Sequence, residues 1–134
     1  MGQNNMVEIK GIISPILTPM KNDESVNYEE LRVQINRLID GGIHGIFVFG
    51  TNGEGYILSE EEKIEIMKVA VEEVNGRVPV YASTGLVGTK DTIRLSQKAK
   101  EVGVDVLSII TPSFAAASQE ELLSLIHISE PTRL

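Results

Sequence analysis

The stretch of this sequence best equipped for chemistry is Gly50-Thr51-Asn52-Gly53-Glu54-Gly55-Tyr56, a polar turn that leaves the apolar run Gly45-Ile46-Phe47-Val48-Phe49. Its three glycines, Gly50, Gly53 and Gly55, let backbone approach a ligand closely, and Thr51 and Asn52 add side chains that donate and accept hydrogen bonds. The apolar run, glycine-bounded and rich in β-branched and aromatic residues, reads as a strand buried on both faces, followed by a helix start. Strand ends and helix starts leave N–H groups unpaired and able to receive an anion, which makes Gly50, Thr51 and Asn52 candidate binding residues. The same string also fits an ordinary strand-to-helix turn whose glycines serve tight geometry alone.

The elements that must position this turn follow from periodicity. Gly11 to Pro19 reads as an apolar strand closed by Thr18-Pro19, with Pro15 marking a bend or a barrel mouth. Lys21 to Val26 reads as loop. Asn27 with Glu30 forms a capping pattern, and Tyr28, Leu31, Ile35, Leu38 and Ile39 share one helical face until Gly41. After the turn, Ser59 with Glu62 caps a second helix, with Ile64, Met67, Val71 and Val74 as its buried stripe and Asn75-Gly76 as its end. Val78 to Ser83 is a third strand. A third helix follows, with Leu95, Ala99 and Val102 facing inward and Gly103 as its stop, and Val106 to Pro112 is a fourth strand.

Composition limits what the turn can mean. The chain has 134 residues, 42% hydrophobic, with a formal net charge of −7. Scattered Lys and Arg argue against a nucleic-acid partner, and the acidic runs Glu60-Glu61-Glu62 and Glu120-Glu121 stand at helix starts, where the macrodipole favours them. No apolar run approaches a membrane span and no basic-then-apolar leader opens the chain, so a cytoplasmic location is the expectation. With no cysteine, thiolate chemistry and cysteine metal sites are absent, and His44 and His127 are too few and too far apart in sequence to suggest zinc.

The order β-α-β-α-β-α-β repeats at the length of a parallel βαβ unit. The units echo one another, since Gly42-Ile43-His44 before the second strand matches Gly103-Val104-Asp105 before the fourth. Such repetition favours an α/β closed barrel of the (β/α)₈ or TIM type over an open sheet, and four strands make half of one, since a complete barrel takes about 250 residues. The expected organisation is a leader over 1–10, the N-terminal half of a TIM barrel (strands 1–4) over 11–122, and a tail over 123–134. Ser118 with Glu121 caps a fourth helix, but Leu123 to Arg133 has no helical apolar face and contains Pro131, so the helix is expected to fail after Leu122. The string LSLIHISEPTR resembles the in-frame translation of a transposase adapter used in preparing sequencing libraries, a reading that leaves His127 without function.

From Gly11 to Leu122 the chain resembles the N-terminal half of the dihydrodipicolinate synthase and N-acetylneuraminate lyase family. The residues that carry the resemblance are Leu17-Thr18-Pro19, Gly50-Thr51-Asn52-Gly53-Glu54, Pro79-Val80 with Thr84-Gly85, and Thr111-Pro112 with Ser118, in this order and spacing.

The resemblance implies class I aldolase-type chemistry on a 2-keto acid such as pyruvate, with a strand-six lysine forming a Schiff base and no metal or other cofactor. It implies a homo-oligomer, commonly a tetramer, and places the 2-keto acid carboxylate on Thr51 and Asn52, with the Thr51 hydroxyl in a proton relay. Glu54 reads as a turn and helix-start residue rather than a general acid, and Tyr56 and Tyr81 as packing residues. Asn52 stands where the synthases have a second threonine, and Ser113-Phe114 replaces their Tyr-Tyr, so Phe114 offers no hydroxyl to a neighbouring subunit's relay. None of Lys10, Lys21, Lys63, Lys68, Lys90, Lys98 and Lys100 is expected in a strand interior, so the Schiff-base lysine has no candidate in this chain. The activity implied is a 4-hydroxy-tetrahydrodipicolinate synthase-like lyase joining pyruvate to aspartate semialdehyde, in a parent of which this fragment alone is inactive. Alternatives are a 2-keto-3-deoxy sugar acid aldolase or dehydratase, an N-acetylneuraminate lyase, and a non-catalytic barrel relative. A nucleotide site in an open sheet fits poorly, because the turn runs G-x-x-G-x-G and no Gly-Lys-Ser/Thr follows.

Overall fold

A computed structural model describes residues 7–111 and 116–129. The elements are β1 (Ile13–Pro15), α1 (Tyr28–Asp40), β2 (Gly45–Val48), α2 (Glu60–Val74), β3 (Val80–Ser83), α3 (Thr89–Val102), β4 (Val106–Ser108) and α4 (Gln119–Ser129). The four strands form one parallel sheet in chain order, β1-β2-β3-β4.

Helix ends follow the sequence signals. Asn27 Oδ1 accepts the Glu30 N–H at the start of α1, and at α2 the Ser59 and Glu62 side chains each accept the other's backbone N–H. Asn75 and Gly103 close α2 and α3 in the left-handed conformation. At α1 that conformation belongs to Gly42, with φ +87°, and not to Gly41, which stays right-handed. The buried face of α2 is also wider than one stripe, taking in Ile66, Val69 and Ala70 while Ile64 and Val71 are half-buried, because α1 and α3 flank it on either side.

The helix-facing side of the sheet is the core. Ile46 pairs with Val80 and Val48 with Ala82, and all four are buried with Leu31, Ile35, Met67 and Leu95 from the helices. Burying a side chain of this size contributes about 1.5–3 kcal/mol. The opposite face corrects the expectation that the second strand is covered on both sides. There Pro15, Phe47, Tyr81 and Val106 lie in register, with Pro15 exposed and Phe47 and Val106 half-buried. Among the described residues the helices pack on one face of the sheet, and the inner face of a barrel is filled by side chains from strands across it.

Three strands are shorter than their apolar runs. β1 keeps Ile13 to Pro15 of its run, β3 begins after Pro79, and β4 ends at Ser108. At β1 and β3, proline limits pairing, since it has no N–H for the ladder. The fourth helix is a larger departure. It does not fail after Leu122 but runs to Ser129, started by a full Ser118–Glu121 capping box and met by no Gly or Pro until Pro131.

Candidate active site

Backbone geometry makes the Gly50–Gly55 turn unlike an ordinary strand exit. Phe49, the residue after β2, is held at φ +63° and is buried, with 5% of its surface exposed. Gly50 is extended, Thr51–Gly53 form one 3₁₀ turn, and Glu54 at φ +49° closes it by donating to the Thr51 carbonyl at 3.1 Å. Left-handed backbone costs a side-chain-bearing residue about 1–2 kcal/mol, and here two such residues bracket four positions. Packing holds the strain in place. A Cβ on Gly55 would stand 2.6 Å from the Phe49 carbonyl oxygen, one on Gly53 2.9 Å from that of Ile16, and one on Gly50 3.2 Å from the Phe47 ring. The glycines are thus needed for close approach, and none of the three has a positive φ.

This arrangement leaves donors free at the C-terminal end of β2. Among the described residues neither the Thr51 nor the Asn52 N–H has an acceptor, and both residues are exposed. The Thr51 hydroxyl likewise makes no hydrogen bond to a described residue. Two adjacent N–H groups and a hydroxyl can receive one carboxylate. Glu54 is exposed and supplies the left-handed residue that ends the turn, as a turn residue should.

The neighbouring loops are fixed at the same end of the sheet. The Thr84 and Ser96 hydroxyls share a buried hydrogen bond of 2.8 Å, and Thr92 Oγ1 accepts from the Leu86 N–H. Gly85 lies so close to Ile110 that a Cβ would stand 2.5 Å from its nitrogen. Beyond the turn, Glu60 on α2 pairs with Arg94 on α3 at 2.6 Å, and the guanidinium holds the Glu60 carboxyl below the usual range. Lys63, 7% exposed, has its ammonium pushed down by burial, partly offset by Glu60.

Other sequence-predicted residues divide. Tyr81 does pack, with its ring close enough to exclude a Cβ from Gly45; burial, and then the Asp105 charge, push its phenol up. Tyr56 does not: it is 75% exposed, because the turn closed by Glu54 carries it away from the core. Phe114, Ser113 and Pro112 lie outside the described residues, and the seven lysines all stand on helices or loops. Among the described residues no group of three His, Cys, Asp or Glu side chains could hold a metal, and no helix is long and apolar enough to cross a membrane. Sequence reasoning missed the left-handed Phe49 and the bond from Thr18 to Gly53 as parts of the turn's geometry. A phenylalanine before glycine gives no signal of a positive φ, whereas the Thr-Pro closing the first strand marked Thr18 without giving it a task.

Parallel strands in chain order, helical crossovers and a donor-rich turn at the strand C-termini are the first four units of a (β/α)₈ barrel. The chain belongs to the Dihydrodipicolinate synthetase family, whose sequence profile matches residues 8–128. It is 43% identical over 109 residues to 4-hydroxy-tetrahydrodipicolinate synthase of Bacillus subtilis, covering 81% of this chain and 38% of that protein. A crystal structure of dihydrodipicolinate synthase from Bacillus anthracis superposes with a TM-score of 0.91 at 33% identity, covering 95% of this chain and 44% of the other. The chloride-inhibited dihydrodipicolinate synthase from Acinetobacter baumannii, solved with pyruvate, gives 0.87 at 34% identity, covering 92% and 43%. The chain therefore spans about two-fifths of the length of these relatives.

Proposed function

We propose that this chain forms strands one to four of a Schiff-base, pyruvate-dependent lyase of the 4-hydroxy-tetrahydrodipicolinate synthase type. The observation that carries the reading is the pair of free N–H groups on Thr51 and Asn52, held at a strained turn at the end of β2. They and Gly50 receive the carboxylate of a 2-keto acid such as pyruvate, on a turn that close glycine packing holds in shape. A lysine beyond this chain attacks the keto carbon and loses water to give a protonated imine. Loss of a methyl proton gives the enamine, whose carbon bonds to the aldehyde of the second substrate while the new alkoxide takes up a proton. On this proposal the hydroxyl of Thr51, an exposed residue, passes protons along that path. In this reading the 134 residues alone are inactive, and the complete parent is a cytoplasmic homo-oligomer, a tetramer by family resemblance.

One sequence observation favours a second substrate assignment. Phe114 has no hydroxyl where the synthases have a relay tyrosine, and general acid–base help is commonly worth about 10²–10⁴-fold. That favours a 2-keto-3-deoxy sugar acid aldolase or dehydratase, or an N-acetylneuraminate lyase, over condensation with aspartate semialdehyde. The test treats the complete parent, with the strands beyond β4, with pyruvate and borohydride. Condensation with aspartate semialdehyde is then assayed beside cleavage of 2-keto-3-deoxy acids and N-acetylneuraminate. A trapped pyruvate adduct supports the Schiff-base reading, and its absence supports a non-catalytic relative. Synthase activity unchanged by Phe114→Tyr removes the argument for the sugar acids.

A further inference from the structure

We propose that Thr18 is a positioning residue for the carboxylate-binding turn, an inference that rests on the pyruvate reading above. The β1–β2 pairing ends with the Ile16 N–H donating to the Phe47 carbonyl at 3.0 Å. At Phe49 the left-handed backbone takes the chain out of the strand direction, so main-chain pairing with β1 stops there. The Thr18 side chain takes over: its Oγ1 donates to the Gly53 carbonyl at 2.7 Å, a part-buried bond across 35 positions of sequence. Gly53 lies so close to the end of β1 that no side chain fits between them.

Thr18 is itself anchored. The next residue, Pro19, accepts the Asn27 N–H at 2.8 Å through its carbonyl, and Met20 pairs with Val26, which ties the end of β1 to the start of α1. The hydroxyl thus couples a braced segment to the carbonyl of the last residue in the 3₁₀ turn. Orientation of that turn sets where the Thr51 and Asn52 N–H groups point, and their own side chains make no bond to a described residue that would do so instead. Without the Thr18 hydroxyl, the turn keeps its sequence and its donors but loses their aim. A misplaced donor pair weakens carboxylate binding before it alters the chemistry at the keto carbon.

The experiment measures exchange of pyruvate methyl protons for deuterium by NMR in the complete parent, a reaction that needs imine and enamine formation but no second substrate. Thr18→Val keeps the shape and removes the hydroxyl, and Thr18→Ser keeps the hydroxyl. In Thr18→Val the pyruvate concentration for half-maximal exchange is expected to rise about tenfold, roughly the loss of one hydrogen bond, with the maximal rate little changed. Thr18→Ser restores it. An unchanged half-saturation in Thr18→Val, a fall in maximal rate alone, or no rescue by serine overturns the proposal. Where Thr18→Val does not yield folded protein, Thr18→Ala is read by the same comparison, and if it too is unfolded the role is structural and the proposal is overturned. An unmodified parent that exchanges no protons and traps no adduct overturns the pyruvate reading itself, whereas an active parent indifferent to Thr18→Val overturns Thr18 alone.

Discussion

His44 and Asp105 perform the same task two strands apart. The His44 N–H donates to the Ile12 carbonyl at 2.7 Å while its Nδ1 accepts the Ile12 N–H at 3.0 Å. The Asp105 N–H donates to the Val80 carbonyl at 3.0 Å while its Oδ2 accepts the Val80 N–H at 2.8 Å. Each stands just before its strand and clasps both backbone groups of one residue on the preceding strand side of the sheet. The echo between Gly42-Ile43-His44 and Gly103-Val104-Asp105 is therefore a repeated hydrogen-bonding device, conserved in geometry although the side chains differ.

Because the device needs only an acceptor at that position, Asp105→Asn should retain it through the amide oxygen and Asp105→Ala should not. The alanine variant leaves the Val80 N–H without its partner, at a cost of about 1–3 kcal/mol. Urea unfolding of the complete parent measures both. Equal losses in the two variants would show that the carboxylate charge, and not the acceptor, matters.

Gly55→Ala should strain the candidate site through space alone. A methyl group would stand 2.6 Å from the Phe49 carbonyl, and overpacking of this kind costs about 1–3 kcal/mol. Gly76→Ala is the control, with nothing within 4 Å of the new Cβ and only its φ of +73° to oppose it. In the complete parent, and on the pyruvate reading proposed above, Gly55→Ala is expected to weaken pyruvate binding, read by borohydride trapping at graded pyruvate, and Gly76→Ala to leave it unchanged.

The Thr84–Ser96 pair should behave as a unit. Thr84→Val strands a buried Ser96 hydroxyl and should destabilise by about 1–3 kcal/mol, whereas adding Ser96→Ala recovers part of that loss. A double-mutant cycle in denaturant gives the coupling directly, and strict additivity would rule it out.

Acid should loosen the helix layer through Glu60 and Glu73. Arg94 lowers the first carboxyl, and Arg32, then Asn36, lower the second. A depressed folded value means the stabilisation is present above the unfolded glutamate value of about 4.3 and is lost as pH falls through the lower folded one. Glu60→Gln should flatten the pH dependence of stability in that window. Salt should weaken the effect, because both pairs are partly exposed.

The 134 residues expressed alone should self-associate and turn over no 2-keto acid. Ile12, Leu17 and Ile110 are more than half exposed, and among the described residues β1 and β4 are the edges of the four-stranded sheet. Light scattering and a cooperative melt are the measurements. A monodisperse, cooperatively melting monomer with lyase activity would contradict this expectation.

Local signals in the chain determined the element order, the helix caps and the location of the turn. Ser59 with Glu62, Ser118 with Glu121, and the glycine or asparagine stops act through neighbours three or four residues away, so their outcome is legible in a short window of sequence. The position of Thr51 and Asn52 in a turn at the end of a strand was legible for the same reason, since a glycine-rich exit from an apolar strand is a local pattern. Tertiary packing decided what depends on contacts distant in sequence. Phe49 takes a left-handed conformation because its ring is buried and Gly55 closes over its carbonyl, and Thr18 gains a task only when β1 is brought beside residue 53. The exposure of Tyr56 and the helical run past Leu122 were likewise outside the reach of periodicity. One follows from the path of the turn, and the other from a capping box strong enough to start a helix through residues of poor amphipathic spacing.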